Sequence, residues 1–69
     1  MKLVTFDLPD GARHIGAMLD GQRLVDFTAS SKSPALQTML TLIDAGESAL
    51  DEARELVRQP GVVHDLSAV

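Results

Sequence analysis

Apolar and polar positions alternate along the first 27 residues and then change rhythm. In LVTFDL, Val4, Phe6 and Leu8 alternate with Leu3, Thr5 and Asp7, the period of two that marks a strand. PDGA follows, with a proline that presets φ and a glycine that accepts positive φ, and reads as a turn. RHIGAML is the next strand, and Asp20-Gly21 turns the chain into RLVDF. The expected strands are residues 2–8, 13–19 and 23–28.

Register decides which face is buried. A two-residue loop at Asp20-Gly21 would pair Ala17 with Leu24 and Ile15 with Asp26, and would strand Phe27 on the other face. A three-residue loop, with Gly21 left-handed, puts Ile15, Ala17 and Leu19 on one face with Val25 and Phe27. With PDGA as a four-residue loop, Phe6 stands opposite Ile15 and Val4 opposite Ala17. The predicted buried face is then Val4, Phe6, Leu8, Ile15, Ala17, Leu19, Val25 and Phe27, a set that a slip of one residue would turn to water. His14, Gly16, Met18, Leu24 and Asp26 fall on the outward face.

From residue 28 the period becomes helical. TASSKS is a polar loop, Ser33 suits an N-cap and Pro34 the first helical position. Leu36, Met39, Leu40 and Ile43 form one stripe at 3.6 spacing, and Gly46 is a glycine C-cap. A second helix starts near Ser48, with Asp51 completing a short capping box. Leu50, Ala53, Leu56 and Val57 form its stripe, and Pro60-Gly61 stops it. The expectation is an α+β domain: three antiparallel strands covered by a helical hairpin over residues 34–45 and 48–58. The tail, residues 60–69, is extended and has no partner in the local pattern, so a further segment is expected after it.

Sixty-nine residues make one domain at most. A chain this short buries only about 60% of its unfolded surface, and without cysteine it has no disulfide or thiolate metal site to strengthen it. A partner surface is therefore expected to add stability. The net charge of −4, with six Lys and Arg among ten Asp and Glu, offers no basic patch for nucleic acid or an anionic membrane. With no Trp or Tyr, the usual base-stacking platforms are missing too. No apolar run approaches the ~20 residues of a membrane span, and MKLVTFDLPDG breaks before a signal-peptide core can form. A cytoplasmic protein is the expectation.

Three groups of residues invite a chemical reading. His14 and Asp26 stand opposite each other in one three-residue register, and a carboxylate can orient an imidazole as a base. No nucleophile or third group accompanies them, which favours a solvated cross-strand pair. Asp51 and Glu55 lie four apart within the acidic run Asp44, Glu47, Asp51, Glu52 and Glu55. Arg54 and Arg58 balance them three residues on, so a solvated helix face is favoured over a cation site. His64-Asp65 is a dipeptide without the further ligands that a metal phosphohydrolase needs. Ser30, Ser31 and Ser33 have no base nearby, and the isolated glycines form no phosphate loop.

The order of phrases nonetheless resembles a known domain. MKLVTF opens the chain, IGAMLDGQRLVDFT gives a hairpin, and LQTMLTLIDAGESALDEARELV precedes DLSAV. This is similar, over nearly the whole chain, to the N-terminal domain of the fumarylacetoacetate hydrolase family. The resemblance implies metal-dependent, usually dimeric enzymes acting on small 2-oxo or β-diketo acids by carbon–carbon hydrolysis, decarboxylation or isomerisation. In them a Glu-x-Glu pair and an Asp of a C-terminal catalytic domain hold Mg²⁺ or Mn²⁺. No Glu-x-Glu occurs in this chain, where Glu52 and Glu55 are three apart. The expectation is therefore a single N-terminal domain, residues 1–69, with residues 60–69 leading toward a catalytic domain. It carries no catalytic, cofactor-binding or metal residue of its own. Its expected partner is such a catalytic domain. The competing reading is a free-standing module that binds another protein or forms a homodimer, through Met18 and Leu24 or an unpaired strand edge.

Overall fold

The computed structural model describes residues 2–69. Strands β1 (Lys2–Asp7), β2 (Arg13–Met18), β3 (Arg23–Asp26) and β4 (Val63–Asp65) form one antiparallel sheet in the order β1-β2-β3-β4. Between β3 and β4 run helices α1 (Phe27–Ser30), α2 (Met39–Ala45) and α3 (Glu47–Arg58), with a 3-10 turn at Pro34–Leu36 and another at Leu66–Ala68 after β4. The α+β class holds, but the sheet has four strands rather than three. The tail supplies the fourth, with His64 opposite Leu24. Backbone bonds from Asp26 N–H to the Val62 carbonyl (2.8 Å) and from Leu66 N–H to that of Gln22 (2.7 Å) extend the pairing at both ends. A three-residue strand has too little pattern to declare itself, and its partner lies far away in sequence.

The two hairpins close alike. Between β2 and β3, Leu19 N–H bonds the Arg23 carbonyl (2.9 Å), leaving the expected three-residue connection and Ala17 opposite Val25. The expected left-handed Gly21 is absent; positive φ occurs at Gly11 and Gly46. The Asp20 carboxylate organises this turn instead, accepting from the N–H groups of Gln22 (2.8 Å) and Arg23 (2.9 Å).

Between β1 and β2 the loop is also three residues, not four. Leu8 N–H bonds the Ala12 carbonyl (2.8 Å), and Gly11, at φ 90°, returns its N–H to the Leu8 carbonyl (2.9 Å). Glycine adopts that backbone without steric cost, so Ala12 is released into the ladder. The register slips by one from the expectation: Phe6 faces His14 and Val4 faces Gly16. β1 is thereby inverted. Leu3 and Thr5 share the helix side with Ile15 and Ala17, while Val4 and Phe6 lie on the other side, opposite to Phe27.

The core on the helix side comprises Ile15, Ala17, Val25, Phe27, Leu36, Leu42, Ala49 and Ala53, with Leu3, Leu19, Met39, Leu50, Leu56 and Val57 packed around it. The α3 stripe is as the periodicity predicts, with Ala49 added. The α2 stripe is not. Pro34 opens only a 3-10 turn, the chain extends at Thr38, and α2 starts afresh. There Thr38 accepts from Thr41 N–H, and Thr41 accepts from Thr38 N–H, both at 3.1 Å. The restart shifts the phase, so Leu42 turns inward while Leu40 and Ile43 are 68% and 67% exposed. Gly46 ends α2 as expected and also caps α3 at its N-terminus, displacing Ser48 from that role.

At Gly16 the strands β2 and β3 approach so closely that a Cβ would lie 1.9 Å from the Val25 carbonyl oxygen. Backbone must move to admit any side chain. Gly16→Ala is expected to destabilise the fold by about 3 kcal/mol or more, measured by urea unfolding; a loss below 0.5 kcal/mol would contradict this packing.

Candidate functional site

Asp26 ends β3 and is completely buried. A bare carboxylate there would be costly, so its bonding partners decide whether the fold can hold it. Its Oδ1 accepts from Ala29 N–H (2.9 Å), which makes it the N-cap of α1. Its Oδ2 lies 2.8 Å from His14 Nδ1 and 2.9 Å from His64 Nε2. For one oxygen to accept from both, His14 carries its proton on Nδ1 and His64 on Nε2. Phe6 packs edge-on against both imidazoles, with ring centroids 6.2 Å from His14 and 5.8 Å from His64. Adjacent strands thus supply one aromatic ring, one imidazole, one carboxylate and a second imidazole.

Burial pushes the Asp26 carboxyl upward. The Ala29 amide and the bonds from His14 and His64 outweigh it and hold the group below the usual carboxylate value. The expected pairing of His14 with Asp26 forms, with the carboxylate buried and the imidazole half-buried. Gly16 stands opposite Asp26 and His14 reaches it along the diagonal. Leu24, also expected outside, is buried on this same face between Met18 and His64. His64 works with Asp26 and not with its neighbour Asp65, which is exposed. The sequence carries no signal for that third member, because β4 pairs across the whole helical region.

An imidazole held at Nδ1 by a buried carboxylate has the orientation of a catalytic base. The hydroxyls that follow Asp26 in the chain, Thr28, Ser30 and Ser31, make their hydrogen bonds elsewhere. Thr28 Oγ1 accepts from Ile15 N–H (3.1 Å) and donates to the Leu36 carbonyl (3.0 Å), pinning α1 between β2 and the 3-10 turn. Ser30 accepts from Val62 N–H (2.9 Å), and Ser31 donates to Glu52 (2.8 Å). Two imidazoles and a carboxylate are familiar metal ligands, yet both nitrogens here converge on a single oxygen. Among the described residues no group of three or more His, Asp or Glu is arranged to hold an ion. In the acidic run, Arg54 pairs with Asp51 and Arg58 with Glu55, each at 2.6 Å, the spacing the sequence suggested. A surface cavity of about 540 Å³ is lined by Gly21, Gln22, Asp65, Leu66 and Ser67, apart from the cluster.

Fold and site together define a small α+β domain, helices on one face of its sheet and, on the other, a buried Asp26 flanked by two half-buried histidines. No family profile, curated protein or solved structure matches the chain. No helix among the described residues is long and apolar enough to cross a membrane.

Removing one imidazole leaves the buried carboxylate short of a donor. His14→Ala and His64→Ala are each expected to cost about 1–3 kcal/mol, read by urea denaturation. A carboxyl lowered in the native state adds stability above its unfolded value and loses it as pH falls through the native one. Stability should therefore decline below the ordinary value of 3.8. Asp7, beside Arg13, and Asp20, bonded by the Gln22 amide and Arg23, are lowered too and act in the same sense. Asp26→Asn should flatten the acid limb relative to wild type; identical limbs would remove Asp26 from that role.

Proposed function

We propose that this chain is a non-catalytic scaffold domain that packs against a fumarylacetoacetate hydrolase-type catalytic domain. In the enzymes it resembles, that other domain holds the Mg²⁺ or Mn²⁺ that polarises the oxo groups of the substrate. The observation that carries the non-catalytic reading is the closure of the His14–Asp26–His64 cluster on itself. Its carboxylate is spent on a helix cap and two imidazoles, and the hydroxyls of Thr28, Ser30 and Ser31 are bonded to other groups. The family component rests on the resemblance over nearly the whole chain. The small core and the exposed Leu40 and Ile43 support a domain that gains from a partner surface.

The second reading, a free-standing interaction module, is favoured by that same exposed pair on α2. Of the two residues expected to serve it, Leu24 is buried, which leaves the half-buried Met18.

The 69-residue chain with Mg²⁺ should not hydrolyse acylpyruvates, and turnover abolished by His14→Ala would overturn the scaffold reading. Mixed with a fumarylacetoacetate hydrolase-type catalytic domain stripped of its own N-terminal domain, the chain should melt at a higher temperature. An unchanged melting curve with no detectable complex counts for the free-standing module.

A further inference from the structure

We infer that residues 62–69 form a releasable strap, which leaves the edge of β3 and returns to it while the rest of the domain stays folded. The inference rests on how this segment is fastened and is independent of the family reading. None of its eight side chains is buried: His64 and Val69 are half-buried and the others exposed. The apolar core and the residues packed around it lie between Leu3 and Val57. Hydrophobic burial, the main force that holds the other elements, therefore contributes little to this one. The exposed link Gln59-Pro60-Gly61 tethers it to the end of α3.

What fastens the strap is polar and local. The Val62 carbonyl accepts from Asp26 N–H (2.8 Å), and Leu66 N–H donates to the Gln22 carbonyl (2.7 Å). Val62 N–H donates to Ser30 Oγ (2.9 Å). At the sheet edge water replaces such partners when they part, so each bond contributes only a modest net stabilisation. The one side chain that reaches inward is His64, whose Nε2 donates to Asp26 Oδ2 (2.9 Å) while its ring meets Phe6 edge-on. His64 is the clasp. Release leaves the rest of the fold satisfied, because Asp26 keeps the Ala29 amide on Oδ1 and His14 on Oδ2. The helix cap and the tie to β2 both persist. The open form uncovers the outer edge of β3, with Asp26 N–H and the Gln22 carbonyl, and the flank of the carboxylate that His64 covers.

Amide hydrogen exchange on the full chain, read residue by residue by NMR, tests this. The amides of Leu66 and Asp26 have their partners across the β3–β4 seam. Corrected for intrinsic rates, both should exchange roughly tenfold or more faster than the amide of the buried Ala53 in the middle of α3. Urea below the unfolding transition should speed Ala53 and leave Leu66 and Asp26 nearly unchanged, because opening the strap exposes little surface. His64→Ala should speed Leu66 and Asp26 by a further factor of roughly ten. Leu66 and Asp26 as slow as Ala53, or a urea dependence equal to that of Ala53, would mean that the strap leaves only when the whole domain unfolds, and would overturn the inference. Unchanged exchange of Leu66 and Asp26 in His64→Ala would overturn the role of His64 as clasp.

Discussion

One carboxylate holds the architecture together. Asp26 sits where β3 becomes α1, and its two oxygens divide the labour. Oδ1 caps the helix that turns the chain away from the sheet. Oδ2 ties β2 through His14 and β4 through His64. Buried charge of this kind is usually weak evidence for stability, because desolvation offsets the attraction. Here the geometric effect is larger than the energetic one. The group fixes the depth of two strands and the start of a helix at one point, and any rearrangement of one must disturb the others.

The sheet is consequently two-sided in an unequal way. The helix side is apolar and fills with Phe27, Ile15, Val25, Leu36 and Leu42. The opposite side is narrow and mixed: Leu24 and Asp26 are buried, and Phe6 and the imidazoles form its roof. Gly16 is the hinge between the two descriptions. With no side chain it lets β2 and β3 close together directly beside the carboxylate, so the polar cluster is sealed by backbone as much as by side chains.

Much of this was legible in the sequence, and the failures have local causes. The strand, turn and helix segments emerged from periodicity, and the β2–β3 register followed from the need to keep Phe27 and Val25 with Ile15. β1 is inverted relative to the periodicity because Ala12 pairs with Leu8 instead of lying in the loop, and a single residue of parity turns the strand over. The α2 stripe failed at Thr38, where paired threonines restart the helix and reset its phase. β4 was beyond any local pattern. The candidate site was half readable: the His14–Asp26 pair was visible, while its burial and its third member depended on the strand that the sequence conceals.

The placement of that third member governs the order in which the molecule assembles. His14 lies 12 residues from Asp26, a loop that a hairpin closes at small entropic cost. His64 lies 38 residues away, beyond all three helices. A nascent chain emerging from the ribosome can therefore build the hairpins and the α1 cap with the carboxylate bonded on one flank. The short last strand can add His64 only once the chain beyond the helices is available. Completion of the sheet thus waits on the end of the chain, and a chain stalled before residue 64 leaves Asp26 one donor short.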